Sequence, residues 1–108
     1  MLKQLIGYAS TSLFIFAGSL SCLAQTAGAD TYKAKCQMCH AVDGSGSTPA
    51  GKAMKAHPFD SPDVLKESDA DLIAIIAKGK NKMPAFAGKL TDAQTADVLV
   101  YIHTLQKK

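Results

Sequence analysis

A chain of 108 residues with 12 Lys, no Arg, 9 acidic residues and a formal net charge of +3 is one small domain. With no Arg, no basic helix and no aromatic platform, it carries no nucleic-acid footprint. The first 24 residues read as an address rather than as part of the fold.

Met1 to Ala24 begins with Lys3, continues through an uncharged apolar stretch containing Leu13-Phe14-Ile15-Phe16, and ends at Cys22-Leu23-Ala24. This is the three-part pattern of a secretory signal, with cleavage after Ala24 and a second small-residue site at Ala27-Gly28-Ala29. The alternative is an uncleaved anchor, since Leu5 to Ala24 almost reaches spanning length. Gly7, Ser10, Thr11, Ser12 and Ser21 dilute that run. A lipid anchor on Cys22 fits less well, because Ser19 stands where the motif wants Leu. Removing 24 of the 108 residues leaves 84, residues 25–108, and lowers the net charge to +2 because only Lys3 is lost. A domain that small buries little surface and commonly leans on a staple or a cofactor. After cleavage only Cys36 and Cys39 remain, too close in sequence to cross-link distant segments.

Gly28, Tyr32 and Cys36 stand four apart, so they share one face of a predicted helix from about Thr26 to about Met38. Gly28 on that face lets another helix approach closely. At the end of this helix comes Cys36-Gln37-Met38-Cys39-His40, a C-x-x-C-H pentad. On one helical turn its two thiols can attack the two vinyl groups of one haem, and His40 can project towards the iron as the proximal ligand. Three other readings compete. A thiol redox pair wants a βαβ context, half a zinc site wants a second ligand pair, and the spacing can be coincidence.

Ala41 to Asp60 reads as loop, dense in turn formers from Asp43 to Pro49 and punctuated by Pro58. The Pro49 carbonyl can accept the second ring N–H of His40 and fix its orientation, or Pro49 can simply shape a turn. Ser68-Asp69-Ala70-Asp71 opens the next helix with an N-cap and an acidic first turn. Leu72, Ile73, Ile75 and Ile76 give it an apolar body, and Gly79 ends it. Pro84 keeps Met83 out of a helical conformation, so its thioether can project from an extended loop. Thr91-Asp92-Ala93-Gln94 is a capping box for a last helix, in which Val98, Tyr101, Ile102 and Leu105 mark the buried face. No run alternates as a strand does, so the fold class is all-α.

Of the four Met residues, Met1 leaves with the signal and Met38 lies between the cysteines. Met54 and Met83 both stay open as sulfur donors. Met54 follows Lys52-Ala53 in an unpatterned loop and can equally be a packing residue. His57 either reaches a haem propionate or lies exposed, whereas His103 near the end of the last helix suits the dipole as a surface residue. Lys78, Lys80, Lys82 and Lys89 surround Met83.

From Gly28 to Leu105 the chain resembles a class I cytochrome c of the small bacterial and algal type. The family pattern places a Gly and an aromatic on four-residue spacing before the first Cys, as Gly28 and Tyr32 stand here. Its attachment motif matches Cys36, Cys39 and His40, its distal Met-Pro pair matches Met83-Pro84, and its last-helix aromatic matches Tyr101. His57 has no place in that pattern. The resemblance implies a small cytochrome c fold of three to four helices wrapped around one covalent haem c. It implies an iron held by His40 and Met83. A His/Met pair leaves no open position for a substrate, which points to outer-sphere electron transfer and not to an enzyme. The expected setting is the periplasm or another exported compartment, with the chain a monomer that meets redox partner proteins. Lysines beside an exposed haem edge would steer an acidic docking face, an effect on encounter rate more than on affinity. A haem protein with a reactive or ligand-sensing iron is the second class in play, and a module without haem is the third.

Overall fold

The computed structural model describes residues 19–106, so most of the expected export signal, residues 1–18, lies outside the described residues. Six helical segments follow one another: α1 (Ser19–Lys35), α2 (Gln37–His40), α3 (Pro49–Met54), α4 (Pro62–Leu65), α5 (Asp69–Lys78) and α6 (Asp92–Leu105). The described residues contain no strand, only isolated bridges at Lys80–Met83 and Ala87–Leu90. The fold is all-α, as the sequence pattern requires.

The three longer helices lie where their signals place them. Ser68 caps α5 by accepting from the Asp71 N–H, and Gly79 at φ 75° ends it. Thr91 and Gln94 form the reciprocal capping box of α6. α1 differs at both ends from the expected span of about Thr26 to Met38. It starts earlier, at Ser19, because no Gly or Pro lies between Ser19 and Gly28 and Leu, Ala and Gln carry the helix back. It stops at Lys35: Cys36 stays in the right-handed region and its N–H still donates to the Tyr32 carbonyl, but its φ is stretched to −117° (ψ −35°) and the separate turn α2 follows.

Two further short helices bring the count among the described residues to six, against the three to four expected around the haem. Each opens on a hydroxyl residue followed by Pro: Thr48-Pro49 for α3 and Ser61-Pro62 for α4. Proline at the first helical position loses no hydrogen bond and has its φ already set, so these prolines start turns of helix inside a stretch that otherwise reads as loop.

The core gathers where α1 crosses α6. Tyr32 and Val98 are fully buried, and Phe59, Ile76, Leu99 and Ile102 complete the buried cluster. Tyr101 and Leu105 pack against it while half-buried. The crossing is backbone-close because Gly28 has no side chain: a Cβ there would overlap the Asp97 carbonyl and lie 3.1 Å from the Tyr101 Cβ. The Tyr32 and Tyr101 rings meet next to it with centroids 5.2 Å apart.

The expected consequence is that Gly28→Leu overpacks this contact and destabilises by roughly 1–3 kcal/mol. In a domain of this size that is a fall in melting temperature of about 4–8 °C per kcal/mol. Equal melting temperatures for the variant and the parent would show that the helices do not depend on this approach.

Candidate cofactor-binding site

The pentad sits at the junction of α1 and α2. Cys36 occupies the turn, Cys39 and His40 lie on α2, and all three are half-buried. Ala41 ends α2 in a positive-φ conformation (69°), which turns the chain sharply away after His40. The buried Tyr32 hydroxyl donates to the Ala41 carbonyl at 2.5 Å, so α1 holds the end of α2 from inside the core. The Gly46 N–H donates to the His40 carbonyl at 2.9 Å.

Cys36, Cys39 and His40 border a cavity of about 750 Å³, within the size range of ligand-binding clefts. Its apolar walls come from Phe59, from Leu72, Ile75 and Ile76 of α5, and from Val98, Leu99 and Ile102 of α6. Met83 and Pro84 line the same space. A tight turn presents Met83: its N–H donates to the Lys80 carbonyl at 2.9 Å, and Asn81 takes the left-handed conformation that this turn requires (φ 53°). Gly79 makes room for the returning arm of the loop, since a Cβ there would lie 2.6 Å from the Met83 carbonyl oxygen.

Met54 also lines the cavity. The two methionines differ in setting: Met83 packs against the buried cluster, whereas Met54 ends α3 and is 50% exposed. Lys82 joins their segments, its ammonium 3.5 Å from the Ala53 carbonyl.

His40 is held by shape. Its ring stacks on Phe59 with centroids 4.8 Å apart and planes at 26°. Burial lowers its pKa below the ordinary imidazole value, which keeps a nitrogen lone pair available for a metal. Burial, reinforced by Cys39, pushes the Cys36 thiol up to about 11. Burial likewise raises the Tyr32 phenol, with smaller contributions from Cys36, Tyr101 and Asp43.

The hydrogen bond expected between His40 and the Pro49 carbonyl is not made. Nδ1 of His40 is buried without a partner, the ring lies against Phe59, and Pro49 is an exposed first residue of α3. His57 is exposed on the rim of the cavity. His103 is on the surface but is engaged, with Nε2 2.8 Å from Asp69 Oδ1 and Nδ1 2.7 Å from Gln106 Oε1. Among the described residues no group of three or more His, Cys, Asp or Glu side chains gathers as a zinc site would need.

Residues 23–102 match the family described as cytochrome C oxidase, cbb3-type, subunit III. Cytochrome c6 of Synechococcus elongatus is 39% identical over 75 residues, 69% of this chain and 83% of that protein. Cytochrome c6 of Nostoc sp. is 37% identical over 93 residues, 84% of this chain and 81% of that protein. Cytochrome c6 of Picosynechococcus sp. is 31% identical over 108 residues, 94% of this chain and 92% of that protein. The chain belongs to the class I cytochrome c family. It is therefore a small electron carrier with one covalent haem c and its iron, and not an enzyme.

The cavity of this cytochrome fits that group. It offers two uncrosslinked thiols three residues apart, an imidazole on its wall, a thioether and apolar walls. Phe59 is the residue that sequence reasoning missed. It stacks on His40, meets Tyr32 edge-on at 6.1 Å and lines the cavity, yet it sits in a Pro-Phe-Asp loop segment with no periodicity to mark it. The α3 helix had a readable signal in Thr48-Pro49, an N-cap followed by Pro at the first helical position.

Replacing both Cys36 and Cys39 by Ala is expected to leave a protein whose haem is removed by acid–acetone extraction. Each single Cys→Ala variant is expected to accumulate poorly as holoprotein, and His40→Ala at least as poorly. Haem retained through extraction by the double variant would contradict the covalent assignment to these two residues.

Proposed function

We propose that this cytochrome shuttles single electrons between redox partner proteins, with Cys36 and Cys39 as its thioether sites and His40 and Met83 as the iron ligands. The observation that carries this reading is that one cavity is bordered by all four side chains, with Met83 seated against the buried core. The haem, when bound, supplies a one-electron couple. The chain's own residues do the rest. Cys36 and Cys39 tether the group so that it cannot dissociate. Burial keeps His40 neutral and able to donate its lone pair. The Met83 thioether is a soft, weak donor that would favour the reduced state, and with His40 it would hold the iron. Phe59, Ile76, Val98 and Ile102 keep water from the inner wall. A site held in this way would leave no place for a substrate to bind, which suits outer-sphere electron transfer.

The same reading includes export and docking. Residues 1–24 direct the chain to the periplasm or a comparable exported compartment and are cleaved after Ala24. Among the described residues no helix is long and apolar enough to cross a membrane. The working form is a monomer of residues 25–108. Lys55, Lys80 and Lys82 are exposed along the cavity rim and suit a partner with an acidic docking face, whereas Asp63 and Glu67 on the same rim favour one orientation over its reverse.

Met83→Ala is expected to open the sixth position of the iron, admit cyanide to the ferric protein readily and lower the reduction potential, because water or hydroxide favours the ferric state. Met54→Ala is expected to leave both properties close to the parent's. Ready cyanide binding by Met54→Ala, with Met83→Ala behaving as the parent, would assign the ligand to Met54. Fast binding by the unmodified protein would replace the shuttle with a reactive or ligand-sensing haem.

A further inference from the structure

Helix α2 is four residues long, far below the length at which a helix supports itself in water. The carbonyls of Met38, Cys39, His40 and Ala41 each take a contact from a donor outside it. Gly46 N–H serves His40 and the Tyr32 hydroxyl serves Ala41. Thr48 serves the remaining two: its Oγ1 lies 2.7 Å from the Met38 carbonyl oxygen and 3.2 Å from that of Cys39. A hydroxyl has one proton, so Met38 is the main acceptor and Cys39 shares it.

The same Oγ1 accepts the Gly51 N–H at 2.9 Å, which makes Thr48 the N-cap of α3. α3 in turn presses on the pentad. A Cβ on Gly51 would overlap the carbonyl oxygens of both Cys39 and Gly46. One side-chain oxygen therefore ties the last turn of α2 to the first turn of α3, at Cys39 and the residue before it.

We propose that Thr48 is a positioning residue for the haem-binding pentad, its hydroxyl fixing the orientation of α2 and with it the plane of the His40 ring. This inference rests on the reading of His40 as an iron ligand. The orientation of an axial imidazole is set by what holds its backbone and its second nitrogen. Here Nδ1 of His40 has no partner, so the backbone anchors and the Phe59 ring stacked on the imidazole carry the orientation. Val at position 48 keeps the shape of Thr but leaves two carbonyls and one N–H short of a partner. Ser keeps the hydroxyl.

The test compares the ferric holoproteins of the parent, Thr48→Val, Thr48→Ser and Thr91→Val by proton NMR. Thr91→Val deletes the N-cap of α6 by the same chemistry away from the pentad, and so controls for lost stability alone. The hyperfine-shifted haem methyl and His40 ring signals report the axial ring plane. They are expected to move in Thr48→Val, to return to the parent positions in Thr48→Ser and to stay in place in Thr91→Val. A Thr48→Val protein that fails to retain haem, while Thr48→Ser and Thr91→Val retain it, supports the same role. Thr48→Val signals that superimpose on the parent's overturn it, as does a Thr48→Ser protein that shifts or loses haem as Thr48→Val does. A parent without covalent haem or His40 hyperfine signals would instead sink the ligand assignment itself.

Discussion

The close approach of α1 to α6 at Gly28 governs the placement of the Cys36–His40 turn. With the Asp97 backbone resting where a side chain would stand, α1 lies deep enough for Tyr32, one turn on, to be fully buried between α6 and Phe59. The Tyr32 hydroxyl then reaches the Ala41 carbonyl, and its ring packs beside Phe59, which stacks on His40. A glycine at a helix crossing is thus linked through one tyrosine to the position of the His40 imidazole. Small changes at the crossing would be felt at the site because a close-packed interior transmits strain.

The second constraint is size. A domain this small has few residues to bury, and among the described residues its buried core cluster comprises six side chains. Many of the same residues, among them Phe59, Ile76, Val98, Leu99 and Ile102, also line the cavity. Core and binding site are one region. A covalent haem therefore serves folding as well as chemistry, since its apolar faces complete the packing of side chains that the chain cannot cover by itself. The tether matters for the same reason: a cofactor that is part of the core must not leave in dilute solution.

The residues that were legible in the sequence are those whose role is fixed by local chemistry. C-x-x-C-H marks a turn on the cavity wall, Ser68 and Gly79 bracket α5, the Thr91–Gln94 box opens α6, and the four-residue spacing of Gly28, Tyr32 and Cys36 gives the inner face of α1 and of the turn that follows it. The features hidden from sequence reading depend on contacts distant along the chain. Phe59 is placed by tertiary packing and no periodic pattern marks it. The break at Cys36, the pairing of His103 with Asp69 across 34 residues, and the orientation of His40 away from a Pro49 hydrogen bond all arise from how segments meet. The helices α3 and α4 lie between these cases. Their Thr-Pro and Ser-Pro starts were visible, but four to six residues carry too little periodicity to stand out from a turn-rich stretch.

The central claim is that one cavity brings His40 and Met83 to the same haem iron. In the ferrous protein the methyl group of a methionine whose sulfur binds the iron lies over the haem ring and is shifted far upfield by the ring current. The direct measurement is a proton–carbon spectrum of the reduced holoprotein labelled at its methionine methyls. The account predicts one methyl displaced far upfield, that of Met83, with Met38 and Met54 at ordinary positions. A displaced methyl belonging to Met54, or no displaced methyl, would contradict it.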